Sequence, residues 1–530
     1  QVYEDGSGRG SVGGYSKTTP YDVRIVLKET AGATYWIRPT GTEVWTCVYD
    51  SNYGTGTRFL RGVTVHSGVF ETDDFRDVFG GSQVPYIVTR DTTARLTVYD
   101  VQGQATTASV PVQLIPMVVC VPWDYDKISG REIPHNAWDG LATRLKAVAY
   151  TDTSASNLSV TWDFGDGTAA ETGGVSDKRI IETMHSYRGD PGALYTATVT
   201  VHDPVHGDLS DTYPVQIHAR DLTIEVNVAI DEGLWFLHKQ NLGGWWNSNQ
   251  GYWVSPTASC VHALEINGHT LNRSRSIDPL VEDVAGGLRS ILSNLYASSI
   301  AAQPYGDPDS NGNGLGIFVN SGRRIYEGGM VMDALAASGV PDRVADVGGS
   351  GILGRTFRDI AQDMMDAYAW GQVDSGAARG GWRYDWNNGA DNSASQWAAI
   401  GFLGIKAAFG LDVAAWVKQE NNVWLTYSYN GTGFGYDGPG NGQATTPSGM
   451  VQLACDGYEI SDPRWQTAEA YIANNWDWFR NNTNIYAWYA FTKAMRVALP
   501  AAVVNLRPTG MDWYAHPTKG IARLLLNFQR

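Results

Sequence analysis

The chain has 530 residues and a formal net charge of −16, with 43% hydrophobic and 18% charged residues. This much apolar side chain excludes a disordered chain, because burying it offsets the entropy lost on folding. The acidic balance, without a marked run of Lys or Arg, argues against a nucleic-acid partner or an anionic membrane surface.

Residues 1–20 are rich in glycine and serine, which predicts an N-terminal arm rather than a core element. The chain begins at Gln1, which we interpret as the mature form of a secreted or cell-surface protein after signal-peptide removal. No apolar stretch reaches 18 residues, so no transmembrane segment is predicted.

Residues 21–116 alternate between apolar and polar side chains with period two, as strands do. The clearest strands are 23–27, 44–49 and 94–99, and the last of these turns back through 108–112 as a hairpin. Short strands separated by turns predict an immunoglobulin-like β-sandwich. Cys47 and Cys120 could pair in an oxidising compartment, and the sequence leaves that open.

Residues 117–219 contain the segment Trp162-Asp163-Phe164-Gly165-Asp166-Gly167-Thr168, followed by further strand-like runs. Glycine permits positive φ in such a turn and aspartate bonds its backbone, so both carboxylates are predicted to form turns rather than to catalyse. The segment closely resembles the hallmark of the PKD domain. That resemblance implies a second β-sandwich, of a kind used as a spacer or interaction module in exported and cell-surface proteins.

Residues 220–530 change to helical periodicity. We predict eleven helices, over 226–240, 256–267, 280–298, 328–338, 354–371, 393–408, 412–424, 446–457, 462–479, 484–498 and 513–529. Recurrent glycine-aromatic turns, such as 243–246, 380–384 and 433–436, indicate internal repeats. These turns resemble the Gln-Trp repeats of squalene-cyclase and prenyltransferase-like α/α toroids. The resemblance implies six pairs of inner and outer helices, so eleven leave the ring one inner helix short. The predicted fold class is therefore multidomain, with two β-sandwiches followed by an all-α toroid.

The signature chemistries of such toroids are missing from the sequence. We find neither the Asp-x-Asp-Asp motif of the cyclases nor the Gly-Cys-Gly-Glu-Gln thioester. A prenyltransferase zinc site is also not evident, because Cys260 has only His262 nearby and Cys455 only Asp456. No catalytic residue is therefore predicted, and we favour a protein that is not an enzyme.

A sugar-binding cavity remains an alternative, since aromatic platforms and paired carboxylates are typical of polysaccharide-active proteins. The candidate ligand-binding residues are Trp245, Trp382, Tyr384, Asp385, Asp391, Trp397, Tyr436 and Asp437. The competing interpretation is that the aromatic residues pack the helix turns and that Asp391 caps a helix.

The best metal candidate is the polar loop 307–314, with calcium as its possible ligand. Its candidate ligands, at alternate positions, are Asp307, Asp309, Asn311 and Asn313. Gly312 at the sixth position fits the first half of a calcium loop, whereas Phe318 at the twelfth excludes a full EF-hand. The other interpretation is a plain polar turn.

Together these features favour an exported structural protein that associates with itself into a filament or surface layer. The alternative is an extracellular carbohydrate-active enzyme, or an adhesion protein whose partner is an extracellular polysaccharide.

Overall fold

A computed structural model divides the chain into two compact units, Gln1–Leu114 and Ile115–Arg530. It describes residues 115–125, 132–248 and 252–529, together with the strands of the first unit. Within the predicted arm the described elements are two short paired strands, β1 (Tyr3–Glu4) and β2 (Ser7–Gly8). The rest of the arm lies outside the described residues.

After the arm, the described strands of the first unit form two antiparallel groups. One sheet has the order β3 (Tyr21–Leu27), β4 (Ala33–Pro39) and β5 (Thr46–Asp50). The predicted hairpin is confirmed as β6 (Thr92–Tyr99) and β7 (Ala105–Val112), paired from Tyr99 with Ala105 to Thr92 with Val112. Residues 51–91 lie outside the described residues, so the immunoglobulin-like layout stays a prediction.

The second unit begins with a β-rich region of ten strands. They are β8 (Met117–Cys120), β9 (Asp124–Tyr125), β10 (Glu132–Ile133), β11 (His135–Ala137), β12 (Ala142–Tyr150), β13 (Ser159–Asp163), β14 (Glu171–Gly174), β15 (Ile181–Ser186), β16 (Leu194–Asp203) and β17 (Gly207–Ile217). A sheet of order β15-β12-β8 and a sheet of order β11-β17-β16-β13-β14 share one apolar core.

That core is built around the aromatic residue of the predicted turn segment, Trp162, which is almost fully buried. Beside it, the Asp163 carboxylate accepts the Gly165 N–H at 3.0 Å, and Asp166 accepts the Thr168 N–H at 3.0 Å. Gly165 has a φ of 70°, which favours glycine. Both aspartates therefore form the turn, as predicted.

The rest of the unit is mostly helical. Its helices are α1 (Leu222–Gln240), α2 (Val254–Ile266), α3 (Leu280–Ser293), α4 (Arg324–Ala337), α5 (Phe357–Gly371), α6 (Asn392–Phe409), α7 (Ala415–Ser428), α8 (Thr445–Asp456), α9 (Pro463–Asn474), α10 (Trp476–Asn481), α11 (Ile485–Val497) and α12 (Ile521–Gln529). Two hairpins interrupt them: β18 (Leu295–Ser299) with β19 (Leu315–Val319), and β20 (Asn505–Leu506) with β21 (Met511–Asp512).

Three predicted helices were wrong in extent. The helix predicted over 280–298 ends at Ser293, because residues 295–299 pair with β19. The helix predicted over 462–479 divides at Asn475 into α9 and α10. The helix predicted over 513–529 begins only at Ile521.

Alternate helices form a curved inner row, in which α2, α4, α6, α8 and α11 pack against one another in chain order. The row curves enough to bring its last helix, α11, against its middle helices. Tyr489 of α11 stacks on Trp397 of α6, with ring centroids 5.4 Å apart. Lys493 of α11 also pairs with Asp333 of α4 at 3.2 Å. The other long helices, with α12 packed on α1, flank this row.

The two end helices of the inner row are less completely buried than α4 and α8. Buried residues fill eleven of the fourteen positions of α4 and eleven of the twelve of α8. They fill only six of thirteen positions in α2 and six of thirteen in α11. We call the exposed sides of α2 and α11 the open ends of the row.

The β-rich region and the helical region are joined by charged groups removed from water. The Lys146 ammonium of β12 is fully buried and lies 2.7 Å from the Asp231 carboxylate of α1. His135 of β11 also contacts Asp231, at 3.1 Å. Since buried charges need partners, these contacts fix the β-rich region against the first helix.

No helix among the described residues is both long and apolar enough to cross a lipid bilayer. Cys120, Cys260 and Cys455 are free thiols.

Candidate functional site

Several predicted ligand-binding residues meet where the inner helices begin, in the loops that precede α6 and α8. The Tyr384 and Tyr436 hydroxyls lie 3.2 Å apart, and the Arg383 guanidinium lies 5.8 Å from the centre of each ring. Arg323, just before α4, lies 5.1 Å from the Tyr384 ring. We call Arg323, Arg383, Tyr384 and Tyr436 the mouth cluster.

The mouth cluster is held in place by Asn392, the first residue of α6. Its backbone N–H donates to the Tyr436 carbonyl at 2.9 Å, and its side-chain amide donates to the Gly435 carbonyl at 2.8 Å. Burial, the hydrogen bond with Tyr384 and the nearby Asp391 charge together raise the pKa of Tyr436 to about 12. The Tyr436 phenol is therefore a protonated hydrogen-bond donor at neutral pH, with 41% of the residue exposed.

Two of the three predicted carboxylates near the mouth cluster are already engaged. Asp391 is fully buried and caps α6, since it accepts the Ala394 N–H at 2.7 Å, and its other oxygen lies 3.5 Å from Arg383. Asp385 lies 3.6 Å from Arg324. Asp437 is exposed beside Tyr436. Capping and arginine pairing account for Asp391 and Asp385 without a role in acid or base chemistry.

The predicted tryptophans do not join the mouth cluster as sugar platforms. Trp382 is 2% exposed, and its indole N–H donates to the Tyr368 carbonyl at 2.9 Å, so it is a core residue. Trp397 is buried under Tyr489 inside the curved row. Trp245 packs against Trp253 between α1 and α2, with ring centroids 6.3 Å apart.

The predicted metal loop folds around Asp309 rather than Asp307. The Asp309 carboxylate accepts the backbone N–H groups of Gly312, Asn313 and Gly314 at 2.7–3.1 Å, which makes it the first position of the loop. Asn311 and Asn313 are then the third and fifth positions and Gly314 the sixth, so the predicted register shifts by two residues.

A carboxylate from elsewhere in the chain completes the surroundings of this loop. Asp363 of α5 is fully buried and accepts the side-chain amides of Asn311 at 2.7 Å and Asn313 at 3.0 Å. Arg355 also contacts Asp363, at 2.6 Å. No group of three or more His, Cys, Asp or Glu side chains in the described part of the chain is arranged to hold a metal ion. Calcium binding would therefore depend on the Asn oxygens as well as the carboxylates.

We expect 1 mM calcium chloride to raise the melting temperature of the full chain, and Asp309→Ala to abolish that rise. A site whose dissociation constant is about a hundredth of that concentration contributes roughly 2.7 kcal/mol. Differential scanning calorimetry with and without calcium measures the effect, with magnesium for comparison. Asp342→Ala, at a 90% exposed side chain, is the matched control and should keep the full calcium response. An unchanged melting temperature in the unaltered chain would show that the loop is a plain polar turn.

A second polar cluster lies where the inner helices end, and the sequence analysis did not single it out. It consists of His262 and Glu265 of α2, Asp333 of α4 and Lys493 of α11. Asp333 lies 3.4 Å from His262 Nε2 and 3.2 Å from Lys493 Nζ. The four residues are up to 231 positions apart in the sequence, so no local spacing signals them.

Comparison with known proteins bears on the β-rich region. Residues 137–217 match the family model of the PKD domain, so the domain predicted from the turn segment is confirmed. No curated protein matches the sequence. Among solved structures, the chain is similar to a β-1,2-glucanase from Parabacteroides distasonis, with 11% identity and a TM-score of 0.22 over 71% of this chain and 48% of that one. The chain thus spans about half the length of that structure.

Proposed function

We propose that this chain is an exported structural protein that associates with further copies of itself. The observation that carries the proposal is the pair of open ends of the inner row. The inner helices α4 and α8 are buried nearly throughout and α6 at two-thirds of its positions, whereas fewer than half of the residues of α2 and α11 are buried. A second copy that packs against these sides would bury them as α4 and α8 are buried.

Exposed apolar side chains support this proposal. Helices α1, α2, α11 and α12 carry Phe236, Ile266, Ile485, Leu525 and Phe528 at 44–65% exposure. Removing such side chains from water contributes roughly 25 cal/mol for each Å² that an interface buries. The PKD domain, as a module typical of exported and cell-surface proteins, supports the extracellular location.

The engagement of the carboxylates weighs against the enzymatic alternative. Acid and base catalysis on a sugar needs two carboxyl groups that face the substrate, separated by about 5–9 Å. Asp391 instead caps α6 with no exposed surface, and Asp385 lies beside Arg324. Stacked Trp397 and Tyr489 fill the interior of the curved row behind the mouth cluster.

Self-association is tested by sedimentation velocity and negative-stain electron microscopy of the full chain over a range of concentrations. We expect assemblies that grow with concentration and with added sodium chloride, because salt screens the repulsion between copies of net charge −16. Ile485→Lys should weaken association by at least about tenfold, since it places a charge in the interface. Val205→Lys, at a 70% exposed position of the PKD domain, is the matched control. Monomers at every concentration would overturn the proposal.

A carbohydrate ligand at the mouth cluster is a second candidate, favoured by one observation. Tyr436 combines an exposed ring with a protonated hydroxyl and lies beside Arg383 and Tyr384, a combination that suits a sugar face. A glycan array followed by calorimetry of any hit tests this. Tyr436→Ala should then weaken binding about tenfold or more, while Tyr427→Ala, at a similarly exposed tyrosine of α7, should not.

A further inference from the structure

The strongest unexplained feature outside the mouth cluster is a carboxyl group without a partner. Glu265, in the last turn of α2, is 4% exposed, and neither of its side-chain oxygens has a hydrogen-bond partner among the described residues. Leaving a buried polar group unsatisfied costs about 1–3 kcal/mol, and more for a charged one. The position is therefore costly unless a donor from outside these residues reaches it.

The neighbouring groups do not supply that donor. The ammonium of Lys493 is already paired with Asp333, at 3.2 Å. Burial lowers the pKa of His262, so its imidazole is neutral at physiological pH. From α6, Gly404 lies against Asp333 and brings no side chain. With Asp333 and Lys493 cancelling each other, an ionised Glu265 adds one uncompensated negative charge to the cluster.

The cluster can be reached from solvent. The side chains of His262 and Lys493 are each 21% exposed, and Ile266, the residue after Glu265, is 64% exposed. The site thus combines an accessible edge and an apolar neighbour with a carboxyl group whose two oxygens are buried and accept no hydrogen bond from the described residues.

We propose that Glu265, with Asp333, His262 and Lys493 around it, forms a binding site for an organic monocation with N–H donors, an alkylammonium or guanidinium group. Such a group satisfies both oxygens of Glu265 and balances its charge in one step. Metal ions suit the cluster less well, because the described His, Cys, Asp and Glu side chains do not converge in metal-binding geometry. The proposal does not depend on self-association.

The site has a pH dependence of defined sign. Burial, and then the charge of Asp333, raise the pKa of Glu265 well above its usual range. Around Asp333 lie His262, Lys493 and Tyr489, of which the Tyr489 hydroxyl stays protonated because burial raises its pKa. A cation binds the ionised carboxylate, so binding should release a proton and strengthen as pH rises.

The test uses butylammonium chloride with the full chain at constant ionic strength. We expect it to raise the melting temperature, with methylguanidinium acting likewise and uncharged butanol having no such effect. Glu265→Gln should weaken butylammonium binding at least tenfold, whereas Glu459→Gln, an exposed control, should leave it unchanged. Calorimetry of butylammonium binding to the unaltered chain should give different enthalpies in phosphate and in Tris, because the buffer takes up the released proton. The enthalpies for Glu265→Gln should not differ between the two buffers. Equal responses from the unaltered chain and from Glu265→Gln, or no response from either, would overturn the proposal.

A further experiment identifies the source of the cation. If a Lys or Arg side chain of a second copy supplies it, butylammonium should dissociate the assemblies seen by sedimentation. If a free amine supplies it, butylammonium should bind and leave the sedimentation coefficient unchanged. Glu265→Gln tests the cation site separately from the proposed interface. It removes the carboxylate on α2 and leaves α11 unaltered, whereas Ile485→Lys changes α11 and leaves the carboxylate in place.

Discussion

Replacing Asp231 with alanine is expected to lower the free energy of unfolding of the second unit by about 3–5 kcal/mol, the typical cost of breaking a buried ion pair. The Lys146 ammonium is fully buried and lies 2.7 Å from Asp231, with Glu232 farther away at 3.9 Å. Removing the carboxylate leaves that ammonium in the interior with a single distant counter-charge. Urea denaturation followed by circular dichroism measures the loss.

Matched variants separate this effect from a general loss of charge. Asp139→Ala breaks an exposed pair with Arg188 and should cost less than about 1 kcal/mol. The double change Lys146→Met with Asp231→Leu should recover most of the loss, because an apolar pair leaves no charge unpaired. If Asp231→Ala proves as mild as Asp139→Ala, the buried pair does not hold the two regions together.

The same contact predicts an acid transition. Burial alone would raise the pKa of Asp231, but the charges of Lys146 and His135 hold it well below its usual range. A carboxyl whose pKa is lower in the folded state stabilises the fold above its unfolded value of about 3.9, and loses that contribution as pH falls further. Unfolding free energies measured from pH 6 to pH 2 should therefore fall less steeply in Asp231→Ala than in the unaltered chain.

Trp382→Ala is expected to lower the free energy of unfolding by about 3–5 kcal/mol, because it empties a core position. Trp382 is 2% exposed, its backbone N–H donates to Ser395 Oγ at 2.9 Å, and its ring contacts Phe402 of α6. The loss should be the same with and without an oligosaccharide. Thermal and urea unfolding measure it.

The control for Trp382 is Tyr436, an exposed aromatic residue of the next glycine-aromatic turn, in which the buried Phe434 takes the position of Trp382. Tyr436→Ala removes an exposed ring and should cost no more than about 1 kcal/mol. Equal losses at the two positions would mean that the buried ring contributes no more than the exposed one, contrary to the structure.

The sequence was informative wherever the chemistry is local. The glycines and aspartates of the PKD turn act on residues within two positions, and Asp391 caps the helix that starts beside it. The glycine-aromatic turns were found for the same reason. The β18–β19 hairpin was missed because an apolar run over 280–298 fits a helix as well as a strand, and only pairing with β19 decides between them.

The site residues that the sequence did not reveal depend on distant contacts. Asp363 meets the polar loop from 50 residues away, and Lys493 meets Asp333 from 160 residues away. Contacts of this kind are set by how the helices assemble, which local spacing does not encode.

The buried junction at Lys146 and Asp231 also has a mechanical consequence. Domains joined by a loose linker unfold independently under tension and give separate rupture events. Here, a tensile force applied to the PKD domain would pass directly into α1 through the contacts of β11 and β12. The PKD domain and the helical region should therefore resist stretching as one stiff body, with a single rupture event in force spectroscopy.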